Sequence, residues 1–144
     1  MTPLPFLYTL ASNYQALVYF RHDPDKTKSY AILESVKKSL NRNIPSMFGF
    51  QVYSSINTAA NGQIPFPSSG EKVVGGHAVM ACGYDDSLKI GSCKGALMIR
   101  NSWGSAWGSN GYGYLPYEYI LKGLAQDFWS MLKEEWVDTR EFGI

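Results

Sequence analysis

The chain has 144 residues, 45% hydrophobic and 17% charged, which is the profile of one folded domain rather than of a disordered segment. Thirteen Lys and Arg against twelve Asp and Glu leave a net charge of +1, so no global field recruits nucleic acid or an anionic membrane. No run approaches the roughly 20 apolar residues of a membrane helix, and the apolar start MTPLPFLYTLASN lacks the basic flank of a secretion signal. Cys82 and Cys93 are too few for a disulfide framework and have no zinc spacing; a single bridge or two free thiols both fit.

In chain order, residues 1–28 are mixed, and Asp23-Pro24-Asp25 reads as a turn that leaves His22 in water. From Ser29, read as the N-cap, Ile32, Leu33, Val36 and Leu40 recur at helical spacing until Pro45 stops the helix. Lys37, Lys38 and Arg42 fall near its C-terminal end, where positive charge suits the dipole. SMFGFQVYSSI reads as a strand, and the Gly- and Pro-containing stretch 57–76 as a long loop.

HAVMACGY and GALMIRNSW read as two further strands, joined by a long polar connection, DDSLKIGSCK, that carries Cys93 and leaves Asp85 and Asp86 facing water. GSNGYGYLPY brings a third, aromatic strand. The tail from residue 119 fits one helical turn, an apolar strand DFWSML and a charged end. The expectation is an α+β domain over 1–144, an antiparallel, partly barrel-like sheet with one main helix, its ends 1–13 and 131–144 least defined.

Chemistry concentrates in three stretches: GGHAV at 75–79, IRNSWGSAWG at 99–108 and GYGYLPYEY at 111–119. Histidine is the usual general base at neutral pH, and its ring needs a second polar group to hold one tautomer and one orientation. Asn101 offers a neutral amide oxygen for that purpose. Trp103, two residues on along the same strand face, is placed to cover the bond to His77. Gly75 and Gly76 leave room for a substrate backbone just before the histidine. Each feature alone has an ordinary structural explanation.

Taken together and in order, these motifs resemble the C-terminal half of the papain-like cysteine peptidases. The resemblance extends over roughly residues 14–130, and includes the helix before NIPSMFGFQVYSSI and the tail YLPYEYILKGLAQDFW. It implies that His77 is the base and partner of a cysteine thiolate, that Asn101 orients it and that Trp103 shields the pair. It implies no cofactor and no metal.

The family's nucleophile sits in a Cys-Gly-x-Cys-Trp segment preceded by an oxyanion-hole Gln, and the 144 residues contain no such segment. Cys82 lies five residues after His77, which strand alternation turns to the opposite face. The expectation is therefore a peptidase half that is inactive alone and acts on a peptide or protein substrate once a cysteine-bearing half completes it. An isolated sheet half is also expected to expose apolar surface, Trp107, Tyr112 and Tyr114 included, and so to self-associate; the alternative reading is a non-catalytic binding or dimerising protein that keeps the fold.

Overall fold

A computed structural model describes residues 18–132. Its elements are strand β1 (Val18–Arg21), helix α1 (Ser29–Leu40), β2 (Ser46–Tyr53), β3 (Val73–Ile90), β4 (Cys93–Arg100), β5 (Tyr112–Pro116), a helical turn α2 (Glu118–Leu121) and β6 (Ala125–Leu132). The expected strand DFWSML is part of β6; the charged end from residue 133 lies outside the described residues. The six strands form one open antiparallel sheet in the order β1-β6-β2-β3-β4-β5. The fold is α+β, with one main helix among the described residues.

The sheet has a buried and an outer face because its strands alternate. In β2, Phe48, Phe50 and Val52 turn inward; Val79 and Ala81 of β3, Leu97 and Ile99 of β4, and Leu115 of β5 join them. Helix α1 covers this face with Leu33, Val36 and Leu40, while Ile32 packs at the margin. The helix begins one residue earlier than expected: Lys28 is the N-cap and no side chain caps it, so Ser29 is the first helical residue. The loop between β2 and β3 folds over the β5 edge, where the Ile64 N–H donates to the Tyr114 carbonyl at 2.9 Å. Glu71 ties that loop to itself, accepting from the N–H groups of Ser55 and Ser68 at 2.6 and 3.0 Å.

Three expectations need correction here. The stretch DDSLKIGSCK is not a long connection: β3 runs to Ile90, pairs with Cys93, and turns over two residues. Gly91 supplies the positive φ (59°) that a primed hairpin turn needs. Cys93 is consequently buried at the start of β4 rather than part of a connecting loop. Asp85 and Asp86 do not merely face water. The register shifts between Asp85 and Lys89, and the Asp85 carboxylate accepts from the amides of Ser87 and Leu88 across that bulge. Asp86 accepts from Lys37 of α1 and from the Tyr117 hydroxyl, both at 2.8 Å.

The Asp86 clamp carries a measurable consequence. Hydrogen bonds from Lys37 and Tyr117 hold the Asp86 carboxyl below its ordinary 3.8. A depressed carboxylate stabilises the fold above its unfolded pKa and loses that contribution as the pH falls through the folded value. Asp86 is largely exposed, so solvent screens the pair. Asp86→Asn is expected to cost no more than about 1 kcal/mol in urea unfolding at pH 7, and the difference from wild type shrinks below pH 4.

Candidate active site

His77 stands on β3 opposite Phe50 of β2, in the same row of side chains as Val79 and Ala81. Asn101 and Trp103 reach it from the other neighbour. β4 pairs Ala81 with Ile99 and Met80 with Arg100; continued past Arg100, that register sets Asn101 opposite Val79 and Trp103 opposite His77. Strand β4 itself ends at Arg100, so Trp103 approaches from a turn and not from the strand on which it was expected. The Asn101 N–H still donates to the Gly111 carbonyl at 2.9 Å, which holds the turn against the start of β5.

The imidazole Nε2 lies 2.8 Å from Asn101 Oδ1. That amide oxygen also accepts from the Ser102 backbone N–H at 2.7 Å, and an amide nitrogen could not accept from a backbone donor. The oxygen therefore faces the ring, Nε2 carries the proton, and Nδ1 keeps its lone pair. Nδ1 has no hydrogen-bond partner among the described residues. This is the tautomer of a base, fixed by an asparagine that is itself buried.

Aromatic rings pack the imidazole on two sides. Trp103 stacks on it with centroids 4.6 Å apart and planes 21° apart, and Phe50 meets it edge-on at 6.0 Å. Trp103 is 46% exposed, so one face of the indole lies on the ring while the other meets solvent. Trp107 abuts Trp103 at 89°. Trp107 is half-buried rather than exposed as expected, as is Tyr114; Tyr112 alone of the three is exposed. The reason is Gly113: a Cβ there would lie 2.5 Å from the Trp107 ring, so only glycine lets the indole settle on the strand.

Neither Gly75 nor Gly76 has a positive φ, and a Cβ at Gly75 would meet nothing within 4 Å. What they contribute is the absence of side chains on an open, exposed approach to His77. Two hollows adjoin the site. One, of about 410 Å³, is bounded by Gly49, Gln51, Gly76, His77, Leu124 and Gln126. The other, of about 510 Å³, lies over Met47, Ala78, Met80, Arg100 and Ser102.

Both cysteines are free. Cys82 is half-buried in the opposite side-chain row from His77, with Sγ 3.5 Å from the Met98 carbonyl, and burial pushes its thiol above 9.0. Burial also raises Cys93, with the neighbouring Glu118 carboxylate adding to the effect. Among the described residues no group of three or more His, Cys, Asp and Glu is placed to hold a metal ion.

The sequence profile that describes the papain family cysteine proteases matches residues 11–128. The chain belongs to the papain family. An uncharacterized peptidase C1-like protein of Acanthamoeba polyphaga mimivirus is 38% identical over 112 residues, 73% of this chain and 34% of that protein. Papaya proteinase 4 of Carica papaya is 51% identical over 45 residues, 31% of this chain and 11% of that one.

Among solved papain-family folds, xylellain, a cysteine protease from Xylella fastidiosa, superposes with a TM-score of 0.64 at 33% identity, covering 91% of this chain and 45% of its own. The bromelain protease of Ananas comosus shares the fold at a TM-score of 0.56 and 20% identity, covering 83% of this chain and 51% of its own. The chain thus spans about a third of the mimivirus protein and a little under half of xylellain.

Sequence reasoning placed His77, Asn101 and Trp103 in one group but missed Ser102 and Phe50. Ser102 contributes a backbone N–H that any non-proline residue there would supply. Phe50 faces His77 only through the β2–β3 register, which no local motif announces.

Proposed function

We propose that this chain is the histidine-bearing half of a papain-type cysteine peptidase, completed by a cysteine-bearing half, whether joined to it or separate. The observation that carries the reading is the oriented imidazole, with Nε2–H committed to Asn101 and Nδ1 bare. A thiol brought to Nδ1 loses its proton there, and the thiolate attacks the peptide carbonyl carbon. As the C–N bond breaks, Nδ1–H protonates the leaving amine, leaving a thioester. Water then adds to the thioester carbonyl as Nδ1 takes its proton, and that proton returns to the departing thiolate.

Neither cysteine of this chain fits the role, because each is held away from Nδ1 and burial disfavours its thiolate. The hollow beside Gly76 suits a peptide substrate, where Gln51 and Gln126 offer amides to its backbone. The apolar hollow over Met47 and Met80 suits the missing half, since it borders Asn101. The protein is expected not to cleave a fluorogenic peptide alone. It is expected to do so when mixed with the cysteine-bearing half of a papain-family relative. Turnover by this chain alone that disappears in Cys82→Ala or Cys93→Ala would overturn the assignment. Mixing that produces no turnover, together with self-association in sedimentation, would favour the non-catalytic, dimerising reading.

A further inference from the structure

His22 was expected in water and is instead buried, 4% exposed, where β1, α1, β6 and the approach to β2 converge. Its Nδ1 lies 2.8 Å from Ser35 Oγ on α1 and its Nε2 lies 2.9 Å from Ser130 Oγ on β6. Its backbone N–H donates to the Phe128 carbonyl at 2.8 Å, and Phe20 meets the ring edge-on at 4.8 Å.

The network decides where the proton sits. Ser130 Oγ donates its one proton to the Pro45 carbonyl at 2.9 Å, so toward His22 it can only accept. Nε2 therefore carries the hydrogen, and Nδ1 accepts from the Ser35 hydroxyl. A neutral ring satisfies every partner. A second proton on Nδ1 would point at the Ser35 hydroxyl hydrogen and force that hydroxyl to turn away.

Among the described residues no carboxylate makes a hydrogen bond to the ring to offset that charge. Among the described residues, the carboxylate of the adjoining Asp23 favours the charged ring, against the effect of burial. Its oxygens already accept from Arg21 and from the amides of Asp127 and Phe128. The other charged residues of the packed elements are Glu34, Lys37 and Lys38 on α1, Arg42 on the link to β2, and Asp127, which pairs with Arg21; β2 has none.

We infer that His22 is an acid-operated latch: neutral, it pins β1 and α1 to β6, and protonation releases that edge of the sheet. Burial lowers the ring from its ordinary 6.5. The folded state therefore prefers the uncharged ring, so its contribution is complete above about 6.5 and is lost as the pH falls through the lower folded value. The released strand matters to the site because Gln126 of β6, with Leu124 just before it, lines the hollow beside His77. The latch is independent of whether the chain cleaves peptides.

Amide hydrogen exchange on the 144-residue chain, corrected for intrinsic rates, tests it. Opening of β1 and β6 is expected to rise between pH 7.5 and pH 5.0 by as much as about 30-fold, the limit for a ring neutral when folded and titrating near 6.5 when released. His22→Gln, which can donate to Ser130 and accept from Ser35 without titrating, is expected to abolish that rise. An equal rise in His22→Gln would overturn the inference. Should that variant not fold, NMR titration of the wild-type imidazole decides: with two histidines in the chain, His77→Asn assigns the signals. A His22 resonance titrating below 6.5 supports the latch, and one titrating at or above 6.5 refutes it.

Discussion

Replacing His77 with alanine in the chain complemented by a cysteine-bearing half is expected to lower kcat/KM on a fluorogenic peptide by at least about 10³-fold. The expectation rests on two roles for one nitrogen. In the proposed mechanism Nδ1 takes the proton from the nucleophile and then delivers it to the leaving amine, and no other described residue hydrogen-bonds to the ring besides Asn101 at Nε2. Asn101→Ala keeps the imidazole but removes the oxygen that fixes its tautomer and direction. Its loss is expected to be about 10²-fold, the scale of a reacting group misplaced by about 1 Å. Trp103→Ala, which strips one covered face from the ring, is expected to cost less than either. Steady-state kinetics on the three complemented variants checks the order. If Asn101→Ala proved as active as wild type, the hydrogen bond to Nε2 would have no orienting role.

The largest single-residue stability loss is expected at Phe128, where truncation to alanine should cost about 3–5 kcal/mol. Native domains keep only about 5–15 kcal/mol in total, so the variant is expected to lie near the edge of folding. Phe128 is fully buried in β6, between β1 and β2, and stacks on Phe48 with centroids 4.6 Å apart. Its surroundings have little freedom to collapse into the space. The Phe128 N–H is held by Asp23, its carbonyl by the His22 N–H, and the next strand is pinned through the same network. A cavity that cannot refill adds its own cost to the lost transfer energy. Phe128→Leu, which keeps most of the volume, is expected to lose less than half as much. Urea unfolding of both variants provides the measurement, and a loss below about 1 kcal/mol for Phe128→Ala would show that the site relaxes.

Local patterns made some of this molecule legible in one dimension. The α1 stripe at Leu33, Val36 and Leu40 and the alternation of Phe48, Phe50 and Val52 follow from helix and strand periods alone. The ordered motifs around His77 and Asn101 carried the family, because their residue types and spacing are specific to one constellation.

Non-local geometry decided the rest. DDSLKIGSCK reads as a loop by composition, yet Asp85 satisfies the bulge amides and Asp86 meets Lys37, so the strands run on to Ile90. His22 reads as a solvated turn residue, and only the packing of β1 beside β6 and under α1 surrounds it with Ser130 and Ser35. Sequence by itself determined which residues could form the catalytic pair. The tertiary structure decided that the Asn101 oxygen faces Nε2 and that Nδ1 stays open. The Ser102 amide and the β3–β4 register set that orientation, and both are properties of the folded backbone rather than of any motif.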